Sequence, residues 1–149
     1  MPLGIGILVF VIDQLVKHLV VSTMHLGQSF PVIKGIFHIT YVLNPGAAFG
    51  MLEHQRWFFI VVALAAVLLG VFFYKRLQQE SILMRSGAGL LLGGAVGNLA
   101  DRIQSGLVVD FLDFRVWPVF NIADIAICAG AGILIYDIWQ RRNEDEICS

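Results

Sequence analysis

Charge is what this chain has least of. Only 14% of its 149 residues are Asp, Glu, Lys or Arg while 58% are hydrophobic, and a soluble domain carries roughly a quarter charged residues. The shortage excludes a solvated globule and leaves a membrane protein. No basic excess exists either: the net charge is −1, so there is no positive field to hold nucleic acid. Cysteine is nearly absent. Cys128 lies inside the last apolar stretch and Cys148 beyond its end, about 30 Å further along a helix, too far for a disulfide. The pair reads as a core thiol and a reduced tail thiol. Histidine stops early, with His18, His25, His38 and His54 scattered over the first third, so none completes a zinc set with acids later in the chain. Ser105 is the one hydroxyl near those acids, and only Arg102 stands beside it, so no activated nucleophile is visible. No repeat, low-complexity run or linker interrupts the chain, and one domain over residues 1–149 accounts for it. The first apolar stretch lacks a basic leader and a small-residue cleavage site, and reads as a retained helix.

What is there is hydrophobic length. Spans are expected at about 3–21, 57–74, 86–102 and 118–139, the cleanest being the uncharged run of 18 residues from Trp57 to Tyr74, enough to cross most of a roughly 30 Å hydrocarbon core. Lys75, Arg76 and Arg85 in the second connection and Arg141 and Arg142 after the last span fall on one side of a four-span chain, which puts both termini in the cytoplasm. Trp57 with Tyr74, and Trp117 with Trp139, bracket two spans as interfacial anchors. The long first connection alternates at Phe37-His38-Ile39-Thr40-Tyr41-Val42, a strand pattern, and ends in the small-residue run Asn44-Pro45-Gly46-Ala47-Ala48-Phe49-Gly50. The third connection, 103–117, is amphipathic and reads as a segment lying along the membrane surface. The expected fold is therefore membrane all-α: four transmembrane helices, a small extracytoplasmic β element and a surface segment between the third and fourth helices.

Against that background the acids stand out. Five of the eleven, Asp101, Asp110, Asp113, Asp124 and Asp137, fall in or beside the last two apolar stretches, where a carboxylate at membrane depth costs roughly 2.5–3.5 kcal/mol. Gly94, Asn98 and Asp101 share one helical stripe, with Gly93 and Gly97 removing bulk beside it, and Asn121 precedes Asp124 by three. Each stripe sets a neutral amide one turn from an acid, where it can orient and hydrogen-bond it. Two carboxylates in contact share a proton, and such a pair can activate water against a peptide carbonyl while protonating the amide. The plainer alternative has these acids capping helix ends and pairing with Arg102 and Arg115. Asp110, Asp113 and Asp124 could instead ligate a hard cation through oxygen. Asp13 and Lys17, four apart, read as a mutual ion pair or as further groups facing the same cavity. Asp137 reads as an interfacial residue followed by Arg141.

These strings, taken in order, identify a resemblance. Asp13-Gln14-Leu15-Val16-Lys17, Asn44 through Gly50, Gly93 through Arg102, Val108-Val109-Asp110-Phe111 and Phe120-Asn121-Ile122-Ala123-Asp124 resemble the prolipoprotein signal peptidase (signal peptidase II) family, aspartic peptidases of the bacterial inner membrane. The resemblance implies that Asp110 and Asp124 form the catalytic dyad. It implies supporting or substrate-placing roles for Asp13, Lys17, Asn44, Gly94, Asn98, Asp101, Arg102 and Asn121. It further implies cleavage of diacylglyceryl-modified prolipoproteins on the amino side of the lipidated cysteine. A monomer among membrane lipids is expected, and a two-carboxylate mechanism calls for no metal and no cofactor. Two readings from other classes remain: a small transporter, with intramembrane Asp and Lys along a pathway, and an assembly factor that recognises lipidated peptides without cutting them. The first helix begins without a basic anchor, and Pro45 stiffens the loop after Asn44.

Overall fold

The computed structural model describes residues 2–46 and 55–148. Helix α1 (Pro2–Thr23) leads into a hairpin of β1 (Ser29–Ile33) and β2 (Phe37–Asn44); α2 (Arg56–Phe72), the single turn α3 (Tyr74–Leu77) and α4 (Ile82–Gln104) follow, then β3 (Val108–Asp113) and α5 (Ile122–Cys148). Three helices are long and apolar enough to cross a membrane, over Pro2–Thr23, Ile82–Gln104 and Ile122–Asn143. The chain is a multi-pass membrane protein. The stretch that looked cleanest in sequence makes the shortest of the apolar helices: α2 has 17 residues, about 25 Å, because the backbone leaves the helix at Phe73. No Gly or Pro marks that break.

Burial is inverted relative to a soluble protein. Leu3, Leu8, Leu15, Val61, Leu68 and Ile135 face outward, whereas Asp13, Lys17, Asn98, Asp101, Asp110 and Asn121 are buried. Apolar side chains gain nothing by turning inward from lipid, so close backbone packing and polar contacts must hold the helices together. Helix α4 supplies the packing, lying between α1 and α5. A Cβ on Gly93 would sit 2.6 Å from the Gly6 carbonyl oxygen of α1, one on Gly87 would sit 3.0 Å from that of Gly130, and one on Gly94 would run into the Ala123 carbonyl oxygen.

The sheet is antiparallel, in the order β1-β2-β3. Gly35, at φ +77°, turns the hairpin, a left-handed conformation that suits a residue without Cβ. The expected strand over 37–42 is present inside β2. The third connection differs from its expected form: it contributes strand β3, with Asn44 opposite Val108 and Val42 opposite Asp110. Pairing with β2 satisfies backbone groups that an isolated surface segment would leave to water. Val20, Met24, Tyr41 and Phe111 form a small core that seats the sheet on the end of α1. Trp57, Trp117 and Trp139 are exposed, and Tyr74 is half-buried. Residues 47–50 of the small-residue run lie outside the described residues.

Replacing Gly93 by Ala should force α1 and α4 apart and cost about 1–3 kcal/mol, read as a lowered unfolding temperature in detergent. Gly132→Ala, where a Cβ meets nothing within 4 Å, should not lower it.

Candidate active site

Asn121 is the residue before α5, and its side chain caps that helix. Its Oδ1 accepts the Asp124 N–H at 2.9 Å, and Asp124 Oδ2 accepts the Asn121 N–H at 3.2 Å. This reciprocal pair is a capping box, built on the three-residue spacing seen in the sequence. A third free N–H of the first turn, that of Ala123, goes to Asp13 Oδ1 of α1 at 2.9 Å. The helix end that would otherwise leave buried donors unpaired is closed by two carboxylates and an amide.

Asp110 arrives from the sheet. Its two oxygens are each held by one neutral amide, Oδ1 by Asn121 Nδ2 at 2.6 Å and Oδ2 by Asn44 Nδ2 at 2.9 Å. It is 1% exposed. Burial, and then the Asp124 charge, push its carboxyl up to about 7, against the opposing pull of the Asn44 and Asn121 bonds and of Lys17. On the same strand Asp113 goes the other way: although burial opposes it, bonds from the Thr40 hydroxyl and from Arg115 hold its carboxyl below the ordinary carboxylate value.

Beneath the pair runs a buried ionic network. Lys17 Nζ lies 2.8 Å from Asp13 Oδ2 and 2.8 Å from Asp101 Oδ2, so the i, i+4 pair read from the sequence exists and also reaches α4. Lys17 donates to Asn98 Oδ1 at 2.9 Å, Asn121 Nδ2 donates to the same oxygen at 3.1 Å, and Asn98 Nδ2 donates to Asp124 Oδ1 at 2.7 Å. Because an ammonium only donates, Lys17 dictates which way the Asn98 amide points. Asp101 Oδ2 accepts the N–H of Val109, the residue before Asp110, at 3.2 Å.

Asp110, Asp124, Asn44, Asn98 and Arg102 line one cavity of about 800 Å³, whose remaining wall between α2, α4 and α5 is mostly apolar. Asp13, Lys17, Asp101 and Asn121 brace it from behind, and Gly94 lets α5 approach at Ala123, next to Asp124. The alternative pairings are not those of this site: Arg115 bonds Asp113, and Arg102 donates to the Gly46 carbonyl oxygen at 3.0 Å. Asp137 pairs with Arg141 at 2.9 Å, as its spacing suggests, and is buried. Two participants had no role assigned from sequence. Gln14 Nε2 donates to Asp101 Oδ1 at 2.9 Å and to the Gly97 carbonyl at 3.2 Å; an amide in an apolar helix beside Asp13 was the available signal. Phe59 packs its ring against Arg102, and nothing in the α2 sequence distinguishes it.

Apolar helices with two carboxylates facing one cavity define a membrane protein with a two-acid centre. A family model described as signal peptidase (SPase) II matches residues 5–140. The lipoprotein signal peptidase of Halothermothrix orenii is 46% identical over 138 residues, covering 92% of this chain and 94% of that protein. That of Pelotomaculum thermopropionicum is 48% identical over 141 residues, covering 93% and 89%. A bacterial membrane enzyme solved by the in meso method superposes with a TM-score of 0.89 at 33% identity, covering 96% of this chain and 90% of that one. A second such structure gives 0.82 at 34% identity, covering 92% and 91%. The chain belongs to the signal peptidase II family and is a peptidase.

Removing the central cation should be costly. Lys17→Met strands Asp13 and Asp101 as buried charges and should destabilise the protein by about 3–5 kcal/mol, measured by unfolding in detergent.

Proposed function

We propose that Asp110 and Asp124 are the catalytic pair of an aspartic endopeptidase that removes the signal peptide from diacylglyceryl-modified prolipoproteins, cutting on the amino side of the lipidated cysteine. Family membership supports the reaction. The observation that carries the pair is that both carboxylates line one cavity and are held by the neutral amides of Asn44, Asn98 and Asn121. Amides orient a carboxylate without forcing it to ionise, so the two acids can share one proton. The ionised member takes a proton from water as the water oxygen bonds to the scissile carbonyl carbon, and the protonated member gives its proton to the carbonyl oxygen. The C–N bond then breaks as the leaving nitrogen takes a proton from one acid and the intermediate's hydroxyl returns one to the other. The pair ends with the single proton it began with.

In this reading α2 is a fourth crossing, and the whole chain is one domain acting as a monomer. The basic residues of α3 and of the end of α5 lie in the cytoplasm, with both termini. The sheet and the cavity then sit at the outer face of the bacterial inner membrane. Membrane lipids surround the helices, and a substrate anchored by its acyl chains reaches the cavity by lateral diffusion. The apolar wall of the cavity suits such a substrate.

Asp110→Asn or Asp124→Asn should lower cleavage of a lipidated prolipoprotein by at least about 10²–10⁴-fold, with the unfolding temperature in detergent preserved; full turnover by either variant would sink the assignment. The pH profile of kcat/KM should be bell-shaped. Raising the pH through about 7, the value to which burial and the Asp124 charge push the Asp110 carboxyl, removes the proton the pair shares and the acid with it. Lowering the pH adds a second proton and removes the base.

A further inference from the structure

Arg102 stands at the rim of a site whose acids must keep a proton, and a guanidinium beside a carboxylate drives that proton off. It shares the cavity with Asp110 and Asp124 and is within electrostatic reach of Asp124, Asp110 and Asp101. No hydrogen bond or ion pair joins Arg102 to any of these acids among the described residues. What holds it is different. Its guanidinium carbon lies 4.5 Å from the centre of the Phe59 ring, and Nη2 donates to the Gly46 carbonyl at 3.0 Å. A ring face attracts a cation without carrying a charge of its own.

We propose that Phe59 is a positioning residue that holds Arg102 off the two carboxylates, so that the acids keep their shared proton while the guanidinium remains at the cavity rim. The inference rests on the two-carboxylate reading of the site. Helix α2 is well placed for this task because its first turn is tied to the last turn of α4: Arg56 Nη2 donates to the Ile103 carbonyl at 3.1 Å, three residues before Phe59. The charged groups around Arg102 are Asp101 on its own helix, Asp110 on β3, Asp124 on α5, and Arg56 on α2. Lys17 of α1 lies behind the pair, already engaged by Asp13 and Asp101. Arg102 is therefore the cation positioned to reach the dyad if its ring support is lost.

The test is the pH profile of kcat/KM for cleavage of a lipidated prolipoprotein by the full chain in detergent. Phe59→Leu keeps apolar bulk but removes the ring face. Arg102 can then settle on a carboxylate, and the basic limb should move down by about 1–3 pH units, the shift an adjacent arginine imposes on an aspartate. Phe59→Tyr, which restores a ring, should return the limb to its parent position, and Arg102→Gln in the Phe59→Leu background should also return it. Phe59→Met serves the same purpose as Phe59→Leu if the latter folds poorly. A basic limb left in place by both ring-removing variants, with only KM or stability changed, overturns the inference and leaves the dyad standing. Failure of the dyad itself would show separately, as activity in the Asp110→Asn and Asp124→Asn enzymes.

Discussion

One buried ammonium organises this molecule. Lys17 bonds two carboxylates and an amide, and each of those three groups holds a different part of the site: Asp13 takes the Ala123 N–H at the start of α5, Asp101 takes the Val109 N–H beside Asp110, and Asn98 donates to Asp124. Through one intermediary each, a single cation on α1 reaches the helix and the strand that carry the two acids. Burying three ions costs several kcal/mol apiece, and the arrangement offsets that only because the hydrogen-bond partners are in place. Gly97 is part of that fit, since a Cβ there would lie 2.7 Å from Asp13 Oδ2.

The distribution of partners separates ion-paired acids from amide-held ones. Asp13 and Asp101 share Lys17, Asp113 has Arg115 and Asp137 has Arg141. Asp110 and Asp124 receive amides instead. The contrast is sharpest within β3, where Asp113 and Asp110 are three residues apart and their carboxyls are displaced in opposite directions. Both are buried on the same strand, and the neighbours differ: a guanidinium and a hydroxyl in one case, burial beside a second carboxylate in the other.

Much of this was legible where it depended on near neighbours in sequence. The i, i+4 spacing of Asp13 and Lys17, the stripe through Asn98 and Asp101, and the three-residue step from Asn121 to Asp124 are helical relations, and the periodicity of a helix makes them readable. Strand β3 was not readable as a strand. Its burial pattern hides both Asp110 and Phe111, which breaks the period-two alternation, and its pairing with β2 joins residues 66 apart, as in the Asn44–Asp110 bond. Spacing therefore placed a polar patch but could not converge its acids; the choice of Asp110 and Asp124 came from the family resemblance. Phe59 was hidden for another reason: a phenylalanine in an apolar helix carries no sign of the cation it faces.

That Asp110 sits on a strand rather than on a loose surface segment bears on how the two acids find one another. A strand fixes its side chain through backbone bonds to β2, and the sheet is seated on α1 by its own small core. Helix α5 is fixed by its glycine contacts with α4 and by the Asp13 cap. Backbone bonds between Phe120 and the Phe111–Leu112 stretch of β3 bring the strand to the start of α5, and a side chain completes the link. Asn121 is the bridge: its amide nitrogen holds Asp110 while its oxygen holds the Asp124 backbone, and its side chain is completely buried. Since that same amide is the helix cap, the energy that starts α5 is also the energy that sets the pair.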